Sequence, residues 1–385
     1  MFFKALSFTQ FAKLNNKAIL PINCIIFEAT GFLRLNNTIK IKHQKLYVLM
    51  LRLIVPMAGM GKRMRPHTLT VPKPLIPIAG KPIVQRLVED IAKTCPEPIV
   101  EVAFIIKEDF GKEVEDALKK VAESIQAEAK IYYQPEALGT AHAILCAADS
   151  LLDKTIIAFA DTLFKANFTI DTNQDGIIWV QEVEDPRPFG VVKLDEQGYI
   201  TEFIEKPQTP VSKLAIIGIY YIKDGANLKK ELQYLIDNNI KEKGEYQLTN
   251  ALENMKQKGL RFTTGQVNEW LDCGNKDATV YTNQRYLEFI KDEPLIDKSA
   301  VIEEAVIIPP VYIGEGAVVR RAVVGPHVSI GAHSRIENAV IKNGIVQTNT
   351  HINGLIADNF MIGNFVVYSS TPEDLSIGDY NQIKK

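Results

Sequence analysis

Residues 51–55 form a short, β-branched apolar run that reads as a buried strand. It passes straight into Ala58-Gly59-Met60-Gly61-Lys62-Arg63, and this junction constrains the chain more than any other stretch. Glycines let a backbone approach a ligand closely and point successive N–H groups at it, the usual way a loop cradles phosphate. Arg63 can fork two phosphate oxygens, and Lys73, set between Pro72 and Pro74, offers a point charge on a stiffened segment. A bare strand-to-loop turn is the plain alternative. The dinucleotide fingerprint does not fit, because Met64 stands where a third glycine is needed. The P-loop does not fit either, because Arg63 stands where it needs Ser or Thr.

The rest of the chain narrows the class. Its 385 residues are enough for two or more domains. A net charge of −2 provides no field for nucleic acid, and no apolar run reaches the roughly 18–20 residues of a membrane span. Neither a nucleic-acid nor a membrane partner is therefore expected. Cys24, Cys95, Cys146 and Cys273 lie far apart and read as unpaired small hydrophobes in a reducing cytoplasm. Residues 1–49 carry seven Lys/Arg against the single acid Glu28 and show no sustained period. They read as a disordered leader or a mis-called start, with Met50 as the beginning.

After the loop, an amphipathic stripe predicts a helix over 83–93, followed by a strand at 99–106, a helix at 111–126 and a strand at 130–133. Alternating strand and helix argues for βαβ units and a parallel sheet. Gln134-Pro135-Glu136-Ala137-Leu138-Gly139-Thr140 then leads into a helix at 141–148. A strand at 155–160 ends on Asp161, which places its carboxylate in the crevice at the strand ends. Magnesium held with phosphates needs only one or two such carboxylates. From Asp175 the pattern changes to strands and short turns. In the last third, apolar residues recur at Ile296, Ile302, Ile308, Ile313, Val319, Val324, Ile330 and Ile336, in steps of six and occasionally five. That period predicts a parallel β-helix of about 18 residues per coil and roughly four coils.

Taken together, Gly59, Gly61, Arg63, Pro66, Thr68, Pro72-Lys73-Pro74-Leu75 and Lys81-Pro82 resemble the signature of the sugar-1-phosphate nucleotidyltransferases. The resemblance implies an α/β fold, a Rossmann-like mixed-sheet nucleotidyltransferase domain at 50–290. A left-handed parallel β-helix at 291–370 and a polar tail at 371–385 would follow. It implies nucleotide binding by Ala58, Gly59, Gly61, Gln134, Gly139 and Thr140. Asp161 and Asp272, the latter in Trp270-Leu271-Asp272-Cys273-Gly274, would hold Mg²⁺. Gly190, Glu205, Lys206, Gly218 and Tyr220 would form the sugar-phosphate side. Arg63, Lys73, Asp161 and Lys206 would carry catalysis, with Cys273 a packed residue rather than a nucleophile and Glu245–Asn250 structural support.

The expected reaction transfers a nucleotidyl group from a nucleoside triphosphate to a sugar 1-phosphate and releases pyrophosphate. dTTP and glucose 1-phosphate are the first expectation. UTP or GTP with N-acetylglucosamine or mannose 1-phosphate are the alternatives, as is a non-catalytic nucleotide-sugar sensor. The β-helix is expected to serve homo-oligomer assembly or effector binding rather than acyl transfer.

Overall fold

The computed structural model describes residues 30–35, 38–43, 50–59, 61–372, 374, 376–380 and 382. The chain divides into two units, 1–49 and 50–385. In the first, Thr30–Leu35 pairs antiparallel with Thr38–His43. The expectation of a disordered or mis-called leader otherwise falls outside the described residues.

The second unit opens with β1 (Leu51–Pro56), which lies at the centre of a mixed nine-stranded sheet. Its parallel neighbours are β2 (Ile99–Ile106) and, on the other side, β4 (Thr155–Ala158); β3 (Glu128–Tyr133) extends the sheet beyond β2. Leu53, Ile54 and Val55 are fully buried, as a strand covered on both faces requires. The crossover α1 (Ile83–Thr94) buries Ile83, Val84, Leu87, Val88 and Ile91, the predicted stripe. Among the described residues no side chain caps its N-terminus. Five buried aliphatic groups at roughly 1.5–3 kcal/mol each outweigh the ~1 kcal/mol of a missing cap.

Three boundaries differ from expectation. The second crossover helix, α2 (Gly111–Glu123), stops short of residue 126 because Gln126 adopts φ +60° in the turn that starts β3. The helix after the Gln134 loop, α3 (Thr140–Leu145), is shorter than 141–148. β4 ends at Ala158 rather than at residue 160. There the Phe159 N–H donates to the Gly218 carbonyl (3.0 Å), and the Thr162 N–H turns back to the Phe159 carbonyl (3.2 Å). Asp161 therefore sits in a turn between β4 and β5 (Thr162–Lys165), still at the carboxyl edge of the sheet.

The far side of the sheet is antiparallel apart from one parallel pairing, Gly176–Glu182 with Phe262–Gln266. β6 (Gly176–Glu182), β7 (Gly190–Leu194) and β8 (Ile200–Glu205) come first. They assemble around β9 (Leu214–Ile222), which joins them to β4. The helices α4 (Gly225–Asp237) and α5 (Leu248–Gln257) follow, then β10 (Phe262–Gln266), β11 (Glu269–Asp272) and α6 (Lys276–Phe289).

From Val301 the chain winds into a three-sided parallel β-helix. Along one face Val301, Val318, Arg335, His351 and Val367 are partners, spaced 17, 17, 16 and 16 residues apart. The coil is thus shorter than the expected 18, because corners use five residues as often as six. Ile313, Ile330 and Val346 stack on another face, and Val319, Ile336 and Ile352 on the first, all buried. Ile296, Ile302 and Ile308 share the repeat but are more than one-third exposed, since no coil lies beneath the first.

Candidate active site

A cavity of about 480 Å³ opens where β1, β3 and β4 end. Its wall includes Ala58, Gly59, Gly61, Arg63, Lys73, Gln134, Gly139, Thr140 and Asp161, so every expected nucleotide-binding residue and three of the four expected catalytic residues meet there. That crevice is where open α/β sheets bind ligands.

The glycine turn is locally fixed. Gly61 takes φ +55°, a left-handed geometry that disfavours any Cβ, and Thr68 Oγ1 donates to its carbonyl at 2.8 Å. A Cβ there would also stand 3.1 Å from Lys73 Cβ. Met64 is fully buried beneath the turn and anchors it to the core. Lys73 lies in a tight turn in which the Leu75 and Ile76 N–H groups return to Pro72 and Lys73. Only 10% of its side chain is exposed, and its Nζ sits 3.0 Å from Asp161 Oδ2.

The second aspartate arrives on β11, which pairs antiparallel with β5 so that Asp272 faces Thr162, the neighbour of Asp161. The Cys273 N–H donates to the Asp161 carbonyl at 3.0 Å, tying the two turns together. Arg63 is close by: a Cβ on Gly274 would lie 2.8 Å from Asp272 Oδ2 and 3.1 Å from Arg63 Nη2. Burial, and then the charge of Asp161, hold the Asp272 carboxyl above its usual range despite Lys73, the Gly274 N–H and Arg63. Two adjacent carboxylates, one of them destabilised as an anion, suit a divalent cation that takes its remaining ligands from phosphate and water. Among the described residues no cluster of three or more His, Cys, Asp or Glu offers a site complete without substrate. Cys273 is fully buried, and burial pushes its thiol up to about 12, as a packed residue rather than a nucleophile.

Gln134 is largely buried, and its Nε2 lies 3.3 Å from His142 Nδ1 on α3. Burial lowers the His142 pKa, so the ring is a neutral hydrogen-bonding partner at pH 7. Gly139 has φ +118°, and a Cβ there would stand 2.4 Å from the Tyr246 carbonyl oxygen. The Thr140 hydroxyl accepts from the Leu248 N–H at 2.9 Å. The stretch at 245–250 therefore backs this loop. Glu245 also stands on the cavity wall, a placement that reading it as support alone had missed. Phe159 was missed as well, because an apolar residue closing a strand gives no sign in the sequence of facing a ligand.

The expected sugar-side residues gather next door rather than on that wall. Gly190 pairs with Glu205 across β7 and β8, and Thr249 Oγ1 donates to Glu205 Oε2 at 3.3 Å. The Tyr220 ring meets Phe159 edge-on at 6.3 Å, and Gly218 lies against the same phenylalanine, which joins the two regions. Burial, then Glu205, raise the Tyr220 pKa. Lys206 is half-exposed, with Nζ 3.5 Å from Glu205 Oε1.

A mixed sheet with a glycine turn, a lysine–aspartate pair and a second aspartate at its carboxyl edge, continued by a parallel β-helix, defines a nucleotidyltransferase architecture. Residues 53–288 match the nucleotidyl transferase family model, and residues 289–359 match a GlmU-like C-terminal hexapeptide model. The chain belongs to the sugar-1-phosphate nucleotidyltransferase family. It is 32% identical over 267 residues to the bifunctional protein GlmU of Methanocaldococcus jannaschii, a match covering 68% of this chain and 60% of that one. It is 30% identical to the low-salt glycan biosynthesis nucleotidyltransferase Agl11 of Haloferax volcanii, covering 67% and 71%. It is also 30% identical to the glucose-1-phosphate thymidylyltransferase of Streptomyces antibioticus, covering 69% and 74%. An apo UDP-glucose pyrophosphorylase structure superposes with a TM-score of 0.52 at 24% identity, over 63% of this chain and 99% of that one, a likeness of fold. Among the described residues no helix is long and apolar enough to cross a membrane.

Proposed function

We propose that this chain transfers a nucleotidyl group from a nucleoside triphosphate to a sugar 1-phosphate. The observation that carries the reading is the Lys73–Asp161 contact beside the glycine turn, inside the cavity. The N–H groups at Gly59 and Gly61 receive phosphate oxygens. Arg63 and Lys73 offset the charge that builds at the α-phosphorus and on the departing pyrophosphate. The attacking oxygen is already an anion, so the protein needs no base and must chiefly align it, with Lys206 and Glu205 holding the sugar phosphate and hydroxyls. Asp161 and Asp272 would hold magnesium, which supplies further neutralisation of phosphate charge when bound.

For the substrates we take dTTP and glucose 1-phosphate first, supported by the thymidylyltransferase relative that matches 69% of this chain. A uridine nucleotide is the second reading. Thymine and uracil differ by one methyl group, and the Gln134 side chain offers both the same hydrogen bonds. The presence of Arg63, Lys73, Asp161, Lys206 and Asp272 together disfavours a non-catalytic sensor. Homo-oligomer assembly is supported by Ile356, Phe365 and Val367, each more than three-quarters exposed on the last coil; Val367→Asp is expected to shift the sedimentation profile to a smaller species.

The test of the reaction is pyrophosphate release from each nucleoside triphosphate with glucose, N-acetylglucosamine and mannose 1-phosphates. Fastest release with dTTP and glucose 1-phosphate is expected. A preference for UTP moves the assignment to the second reading, and no release with any pair overturns the transferase.

A further inference from the structure

Helix α6 buries one face, Thr279, Val280, Thr282, Asn283, Tyr286 and Leu287, but half of that face is polar, so no apolar stripe marks it in the sequence. That face reaches three of the segments that border the cavity. Thr279 Oγ1, which donates to the Asn275 carbonyl (2.7 Å), lies 3.4 Å from Met64 Sδ under the glycine turn, and Thr282 Oγ1 donates to the Asp272 carbonyl (2.9 Å). Asn283 Oδ1 accepts from the Ala79 N–H (2.9 Å), at the end of the segment that carries Lys73. These positions, i, i+3 and i+4, share one helical face. The same face also rests on the β-helix, where Ser329 Oγ donates to the same Asn283 Oδ1 at 2.7 Å. His327 Nε2 lies 2.8 Å from Glu288 Oε1, and Lys276 Nζ donates to the Asn359 carbonyl at 2.8 Å. The β-helix also touches the loop directly, since a Cβ on Gly80 would overlap the Tyr312 ring at 2.2 Å.

A buried asparagine at a junction could serve packing alone, but the energetics argue against that. Asn283 is fully buried, and among the described residues its Nδ2 has no partner, a loss of about 1–3 kcal/mol; a leucine of similar size would avoid that loss only by leaving the buried Ala79 N–H without its acceptor. Its oxygen orientation is fixed, because the Ala79 N–H can only donate, and the Ser329 hydroxyl then donates to the same oxygen. One acceptor thus joins the lysine-bearing loop to the β-helix.

We propose that Asn283 is a positioning residue, and that Ser329 and Tyr312 of the β-helix set the placement of the 73–80 segment through it, making the β-helix part of the catalytic unit. The catalytic half of this inference rests on the nucleotidyl-transfer reading; the placement half does not. Misplacing a reacting group by about 1 Å can cost up to 10²-fold in rate.

The test uses the full chain with Ser329→Ala, Tyr312→Ala and the conservative Tyr312→Phe, alongside Asn283→Leu. Two readouts are taken: amide hydrogen exchange across residues 73–80, and kcat separately from KM. For Ser329→Ala, Tyr312→Ala and Asn283→Leu we expect kcat to fall roughly tenfold, with the nucleotide KM held within about twofold. Exchange at 76–80 should quicken by about tenfold, while Tyr312→Phe behaves as wild type. A lowered melting temperature with unchanged kcat and unchanged exchange at 76–80 overturns the proposal. If the wild-type chain releases no pyrophosphate, the function reading fails on its own and exchange still decides whether the β-helix places the loop.

Discussion

Lys73 and Asp161, 88 residues apart in sequence, meet with Nζ 3.0 Å from Oδ2, the lysine nearly buried and the carboxylate about half-exposed. The asymmetry is informative. An exposed ion pair contributes at most ~1 kcal/mol, so stability is a weak reason to bury a lysine there. A cation held rigidly beside a carboxylate that still faces the cavity is suited to an anionic ligand arriving between the glycine turn and the aspartate.

Lys73→Ala is therefore expected to lower kcat by about 10²–10³, with a smaller effect on the nucleotide KM. Steady-state pyrophosphate release measures both. Near-normal turnover would remove Lys73 from the mechanism.

Asp272→Asn separates stability from activity. The folded carboxyl titrates above its unfolded value, so ionisation penalises the fold. That penalty grows as pH rises from the unfolded pKa through the folded one and is complete only above the latter. The amide removes it, so the metal-free variant should melt higher than wild type at pH 7 and match it more closely at pH 3–4. Activity should fall by about 10²–10³. A lower melting temperature at pH 7 would count against the account in which burial and then the Asp161 charge penalise the ionised Asp272.

Gly139→Ala tests the backing of the base-side loop. With φ +118° and the Tyr246 carbonyl in the way, the loop must shift, at a cost of about 1–3 kcal/mol. The expected readout is a nucleotide KM raised about tenfold or more, with the sugar-phosphate KM little changed. An unchanged nucleotide KM would place the base elsewhere.

The Cys273 thiol, fully buried and pushed up to about 12, should stay unmodified by iodoacetamide at pH 8, as read by mass spectrometry of the native protein. Rapid alkylation with loss of turnover would revive it as a reactive group.

Much of the fold was legible because local rules and tertiary packing agree along β1, α1 and β2, where apolar period, buried face and turn residues point the same way. The loop residues Gly59, Gly61, Arg63 and Lys73 could be read because phosphate chemistry restricts residue types at fixed spacing. Asp272 could be named but not placed: its carboxylate reaches Asp161 only through the pairing of β11 with β5, a non-local contact with no local trace. Phe159, Asn283 and Ser329 were illegible for the same reason. Each acts through a neighbour far away in sequence, and the polar Thr279, Thr282 and Asn283 on the buried face of α6 erase the apolar period that announces most helices. The coil period came out near 17 because the corners, which carry no apolar signal, set its length.

The most direct test of the account follows the α-phosphorus by ³¹P NMR in a mixture of wild-type chain, magnesium, dTTP and glucose 1-phosphate, with Asp161→Asn in parallel. The account predicts that the glucose 1-phosphate resonance gives way to a diphosphate-sugar pair with one equivalent of pyrophosphate, and that the variant slows this by about 10²-fold or more. Hydrolysis of the nucleotide without a diphosphate-sugar signal, or an Asp161→Asn chain that forms product at the wild-type rate, would contradict it.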